Sequence, residues 1–180
     1  TNVSIKISSL YARTDPIDMN SSLDGLTESL APILQAASRN NVLVNFDMEH
    51  EGLKDLTLRL FMKCCEKFDF TAGLAMQAYL RSGDDDAQRI IDWSKATGRQ
   101  VTVRLVKGAY WDEETIKAEM EGWPIPVWSR KSDTDACFER MADQFLRQVP
   151  RSNDEGGVKL AVGSHNLRSI ACCLAIAERE

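Results

Sequence analysis

The chain has 180 residues, 43% of them hydrophobic and 27% charged. That fits one globular domain with a sizeable core and excludes a wholly disordered chain. With 22 Lys and Arg against 27 Asp and Glu, the formal net charge is −5. Bulk attraction to a phosphate backbone is therefore disfavoured, and no nucleic-acid partner is expected.

The elements alternate two periods. Val3–Ser8 alternates strictly, as a half-buried strand does. Ser22–Arg39 carries Leu26, Leu30, Ile33, Leu34 and Ala37 at helical spacing, with Asn40-Asn41 as a stop. Pro32 leaves that helix open to a kink or a split. Val42–Asp47 reads as a short strand, Leu53–Phe68 as a helix and Thr71–Tyr79 as a third strand. Gly83 opens a helix that Gly98 ends, with Asp84, Asp85 and Asp86 complementing the positive end of its dipole. Gln100–Lys107 is the clearest strand, and Asp112–Gly122 reads as helical. Gly122–Pro126 holds two prolines and is a loop. Thr134–Gln148 is a helix, Arg151–Gly157 a polar surface loop, Lys159–Gly163 the last strand and Asn166–Ala177 the last helix.

Five strands alternating with helices imply an α/β fold with a parallel sheet. Two architectures fit, an open doubly wound sheet or part of a (β/α) barrel. The G-x-G-x-x-G and G-x-x-x-x-G-K-[ST] phosphate motifs are absent, which weakens the nucleotide-binding doubly wound form. No apolar run approaches the ~18 residues of a membrane-spanning helix. The first residues, TNVSIKISSL, do not read as a retained secretory leader. Cys64, Cys65, Cys137, Cys172 and Cys173 form neither a disulfide framework nor a zinc signature, so buried or incidental thiols in a reducing, cytoplasmic compartment are expected. With only His50 and His165 as histidines, no metal site is expected.

Each strand carries polar residues in or just after its C-terminal half: Lys6 and Ser8, then Asp47, then Gln77, then Arg104 with Lys107, then His165 with Asn166. In parallel α/β folds that edge is where ligands bind. Five such contributions to one edge read as a site. Arg104, buried within a strand, needs an anionic partner: a ligand, Asp47 or a neighbouring strand. Lys107-Gly108-Ala109-Tyr110-Trp111 offers a charge, close backbone approach and two ring faces, or else is an ordinary loop at the sheet's rim. His165 taken alone reads best as a core histidine. His50 reads as exposed, Asp84–Asp86 as a solvated helix start, and Met62, Met76 and Met120 as core filler.

Six segments in order carry a resemblance. They are Ser4–Leu10, Asn45–Glu49, Gln77–Tyr79, Arg104–Asp112, Arg130-Lys131 with Thr134-Asp135, and Ser164–Asn166. Together they resemble the proline dehydrogenase domain, most closely in its bifunctional bacterial form fused to an aldehyde dehydrogenase. The resemblance implies a partial (β/α)8 barrel with about five of its eight units. A whole barrel takes ~250 residues, so residues 1–180 read as its central portion. The family's first strand would precede Thr1. Its last strands, and a final helix whose arginine pair binds the substrate carboxylate, would follow Glu180. Such a piece would expose sheet edges and self-associate.

The roles implied are these. Lys6 would hold the carboxylate of L-proline. Asp47 would sit beside flavin and substrate, with Met48 near the cofactor. Gln77 would bond the isoalloxazine edge of FAD, and Arg104 would lie near its reactive nitrogen. Val106, Lys107, Gly108, Ala109, Tyr110 and Trp111 would line the cofactor, with Tyr110 against the substrate. Lys131, Thr134, His165 and Asn166 would reach its remaining polar groups. Asp47, Arg104 and Tyr110 are the residues implied to act in catalysis. Ser129 stands where the family has threonine, which keeps the hydroxyl. The resemblance further implies a quinone as electron acceptor, a homo-oligomer and peripheral contact with the inner membrane. Two rival readings stand beside it: a catalytically incompetent scaffold piece, and an unrelated barrel enzyme taking a phosphorylated substrate at Arg104 and Lys107.

Overall fold

The computed structural model describes residues 1–152 and 154–180. The strands are β1 (Asn2–Ile5), β2 (Leu43–Phe46), β3 (Ala72–Gln77), β4 (Gln100–Val106) and β5 (Gly157–Val162). The helices are α1 (Met19–Arg39), α2 (Lys54–Lys67), α3 (Gly83–Thr97), α4 (Trp111–Glu121), α5 (Lys131–Leu146) and α6 (Leu167–Ala177). The strand order is β1-β2-β3-β4-β5. The β1–β2, β2–β3 and β4–β5 pairings are parallel. Sequential order decides between the two architectures. A doubly wound sheet reverses its order at a switch point, whereas a (β/α) barrel adds each strand beside the last. The chain follows the barrel pattern.

Two compact units make up the chain, Thr1–Ala75 and Met76–Glu180. In the first, Leu26, Leu30 and Leu34 of α1, spaced one turn apart, are fully buried, as are Leu56, Leu60 and Phe61 of α2. The Phe46 ring meets Phe61 edge-on at 5.4 Å and lies 6.4 Å from Phe70. In the second, Val101, Val103 and Leu105 point to the buried face of β4. They share the core with Ile90 and Ile91 of α3 and with Phe138, Met141 and Phe145 of α5. Burial of such side chains contributes about 1.5–3 kcal/mol each.

Several expectations are corrected. The first strand stops at Ile5, and Ile7–Ser9 forms a 3-10 turn. The reason is that Glu49 accepts from both the backbone N–H and the hydroxyl of Ser8, at 3.1 and 2.6 Å. A sheet ladder cannot use that donor. Helix α1 runs unbroken through Pro32, an exposed position. It ends at Asn40-Asn41, with Asn41 at φ 51. Helix α5 begins at Lys131, earlier than its apolar spacing implies. The acidic start of α3 is less solvated than expected: Asp86 is buried and accepts from Ser82, and Asp84 accepts from Arg140. Met120 is 80% exposed and is not core filler. His165 is exposed rather than buried, His50 is half-buried rather than exposed, and Arg104 is half-buried. Cys64, Cys65, Cys137 and Cys173 are buried and Cys172 is half-buried, all as free thiols. In the loop read over Arg151–Gly157, Asn153 lies outside the described residues.

Candidate cofactor and substrate site

In the first unit, β1 and β2 end side by side. The Asp47 N–H donates to the Ile5 carbonyl at 2.8 Å, extending the ladder one step past β2. Asn45, buried on β2, donates from its amide to Asp47 Oδ1 at 2.9 Å. The Asp47 carboxylate is thus oriented by its own strand. Met48 and Glu49 follow, both buried. Glu49 pins the 3-10 turn that Lys6 opens, and the Lys6 carbonyl accepts from the Ser9 hydroxyl at 2.8 Å. Lys6 itself is exposed.

In the second unit, β3 and β4 end together. The Ala78 N–H donates to the Val106 carbonyl at 2.9 Å, and the Tyr79 N–H to the Lys107 carbonyl at 2.7 Å. Buried Gln77 accepts the Ala109 N–H through Oε1 at 3.2 Å. Gly108 lies between, at φ +141, a conformation closed to ordinary side chains. A Cβ there would strike the Tyr79 ring. Two hydrogen bonds and one ring contact therefore fix the Lys107–Ala109 segment. Burial, helped by the charge of Glu114, pushes the Tyr79 hydroxyl well above the ordinary tyrosine range.

Tyr110, half-buried, packs on the cluster of Tyr79, Leu80 and Val127 with Ile125. Trp111 donates from its indole to the Trp128 carbonyl at 2.8 Å, and the Trp128 N–H donates to the Tyr79 carbonyl at 2.8 Å. Arg81 stacks over the Trp128 ring at 5.1 Å and donates to the carbonyls of Ile125 and Val127. The two-proline loop is thereby tied down just before it delivers Lys131 and buried Thr134 at the start of α5.

Electrostatics converge on α5. Lys107 donates to Asp135 Oδ1, and Lys131 to Asp135 Oδ2 at 2.6 Å. Burial raises the Asp135 carboxyl, but the bonds from the two lysines outweigh it and hold the group below the usual carboxylate range. Arg104 sits on β4 opposite Ala161 of β5. Beyond β5, Asn166 caps α6, accepting the Ser169 N–H at 3.1 Å, so its amide oxygen is committed to the helix. His165 beside it is exposed.

The second unit thus gathers Gln77, Lys107, Gly108, Ala109, Tyr110, Trp111 and Lys131 around one loop. Arg104 and Val106 lie on the strand that leads into it. The first unit brings Asp47 and Met48 to the end of β2, beside the end of β1 that precedes Lys6. His165 and Asn166 stand at the β5–α6 junction, just past Gly163, which lies against Val106 and Arg104 at the end of β4. Sequence reasoning assigned no role to Asn45, Glu49, Tyr79, Arg81, Trp128 or Asp135. Asn45, Glu49, Tyr79 and Asp135 lie within the segments that carry the resemblance, and Asp135 also stands four residues from Lys131.

Comparison with known proteins bears on the family and the fold. The family profile described as proline dehydrogenase matches residues 1–180. The bifunctional protein PutA of Klebsiella aerogenes is 30% identical over 149 residues, covering 80% of this chain and 11% of that relative. The crystal structure of proline utilization A from Bdellovibrio bacteriovorus, inactivated by N-propargylglycine, superposes with a TM-score of 0.92 at 35% identity. It covers 98% of this chain and 18% of that one. Proline utilization A from Corynebacterium freiburgense gives 0.88 at 33% identity, over 99% and 19% of the respective chains. The chain therefore spans a small part of the relatives it matches, and its five βα units are part of a (β/α)8 barrel. The chain belongs to the proline dehydrogenase family.

Proposed function

We propose that residues 1–180 are the central portion of a flavin-dependent proline dehydrogenase that oxidises L-proline to 1-pyrroline-5-carboxylate. The family membership supports the reaction, and one feature of this chain carries it furthest. The Lys107–Trp111 segment is held rigid by Gln77 and Tyr79, opens with the Lys107 ammonium group, and follows Arg104, with Lys131 on the carboxylate that Lys107 shares. A preorganised, cationic, aromatic-bearing edge suits a planar group that gains negative charge. FAD fits these residues: when bound it would supply the hydride acceptor.

The chain's own residues then divide the work. Lys6 would hold the proline carboxylate and Asp47, oriented by Asn45, would fix the hydrogen bonds at the reacting end. Tyr110 would close against the ring of the substrate. Arg104, with Lys107, would favour the charge that develops as the carbon–hydrogen bond next to nitrogen breaks. The nitrogen loses its proton as the carbon–nitrogen double bond forms; none of these residues is assigned as the base, and solvent suffices. A quinone would take the electrons onward, with peripheral contact at the inner membrane of a cytoplasmic homo-oligomer. None of the described helices is long and apolar enough to cross a membrane. The bifunctional relatives support a fused aldehyde dehydrogenase that consumes the product.

Arg104→Met in the full-length protein tests the charge-stabilising role. Flavin reduction by L-proline, followed anaerobically by stopped flow, should slow by about 10²-fold or more, the scale of losing one preorganised electrostatic group. An unchanged rate would contradict the assignment.

A further inference from the structure

Lys107 follows β4 and Lys131 opens α5, yet both ammonium groups meet one carboxylate. Lys107 bonds Asp135 Oδ1, and its Nζ lies 5.8 Å from the centroid of the Phe138 ring. Lys131 bonds Asp135 Oδ2 at 2.6 Å. The side chains of Lys107 and Asp135 are 21% and 16% exposed, whereas that of Lys131 is 70% exposed. One lysine is thus largely desolvated and the other reaches in from solvent. Like charges so placed repel strongly in a half-buried setting, and the shared carboxylate is what permits it. Helix stability does not explain the arrangement. A cation in the first turn opposes the helix dipole, and the cation-before-anion order is the weaker orientation of an i,i+4 pair. The cluster keeps a net charge of +1 beside the Gly108 segment.

We propose that Asp135 is a positioning residue that holds Lys107 and Lys131 together as a receptor for the negatively charged groups of the flavin cofactor. This rests on the flavin reading above. Neutralising Asp135 would let the two ammonium groups separate, so it should weaken cofactor binding although it removes a negative charge.

The test is FAD titration of the full-length apoprotein, followed by flavin fluorescence quenching, for wild type, Asp135→Asn, Asp135→Glu, Lys107→Met, Lys131→Met and the Asp135→Asn/Lys107→Met double variant. Asp135→Asn should weaken FAD binding tenfold or more, and Asp135→Glu should recover most of the loss. On the Lys107→Met background the Asp135→Asn change should add less than threefold. Lys131→Met, at an exposed side chain that leaves the core intact, should weaken binding at least threefold. Unchanged or tighter binding by Asp135→Asn, or its full effect persisting without Lys107, would overturn the proposal. So would unchanged binding by Lys131→Met, or a loss of apoprotein melting temperature in Asp135→Asn with FAD affinity intact. A wild-type protein that takes up no FAD would instead overturn the flavin reading itself.

Discussion

The ring of Tyr79 fills the space that a side chain on Gly108 would occupy. Gly108 also sits at φ +141, so both backbone and packing demand glycine there. Gly108→Ala should therefore cost about 1–3 kcal/mol by overpacking alone. It should also lower bound flavin more than stability, because it displaces the Lys107–Ala109 segment that Gln77 and Tyr79 fix. Urea unfolding together with the flavin-to-protein absorbance ratio checks this. A variant as stable and as flavin-loaded as wild type would contradict it.

The cysteines should separate by burial. Burial pushes the Cys64 thiol up to about 12, and the Cys137 and Cys173 thiols upward as well. Thiolate is the reactive form, so these groups should stay inert in the folded protein at mildly alkaline pH. Cys172 is also raised by burial but is only half-buried, and should react first. Timed labelling with a thiol reagent, with the sites read by mass spectrometry, should find Cys172 ahead of the other four. Early modification of Cys64 or Cys137 without unfolding would contradict the packing described.

Two carboxylates should shape acid stability. Asp143 accepts from Arg147 at 2.8 Å and from Arg179 at 2.9 Å, and the Arg147 bonds foremost hold its carboxyl below the usual value of 3.8. Asp135 is lowered too, the two lysines outweighing its burial. A carboxyl lowered on folding contributes stability that is complete above its unfolded value. That contribution is lost as the pH falls from there through the folded value. Denaturant midpoints should therefore fall with acidification below about 4, the ordinary carboxylate value. Asp143→Asn should flatten that dependence while leaving the slope near neutral pH unchanged. An identical acid profile in the variant would contradict the linkage.

Much of the architecture was legible because apolar spacing records which face is buried. Val101, Val103 and Leu105 alternate as their burial does, and Leu26, Leu30 and Leu34 repeat with the helix. The end of β1 was not legible. Ser8 continues the alternation, but Glu49, distant in sequence, takes its donor. The start of α5 at Lys131 was hidden because its first turn is polar, and apolar period marks only the packed part of a helix. Met120 misled because composition assigns methionine to cores, while α4 turns that position outward. Strand-end position singled out Asp47 in the first unit and Gln77, Arg104 and Lys107 in the second as candidates. Of the residues that hold them, Tyr79 against Gly108 and Asp135 on Lys107 act through contacts that arise only once strands and helices pack, whereas Asn45 bonds Asp47 two residues on.

The proposed function requires that this chain, within its full-length protein, support proline oxidation by a bound flavin. The visible spectrum of the full-length protein, recorded anaerobically before and after adding L-proline, tests it most directly. The expected result is flavin absorption that bleaches on adding proline. Flavin absorption indifferent to proline, or none after incubation with FAD, would contradict it.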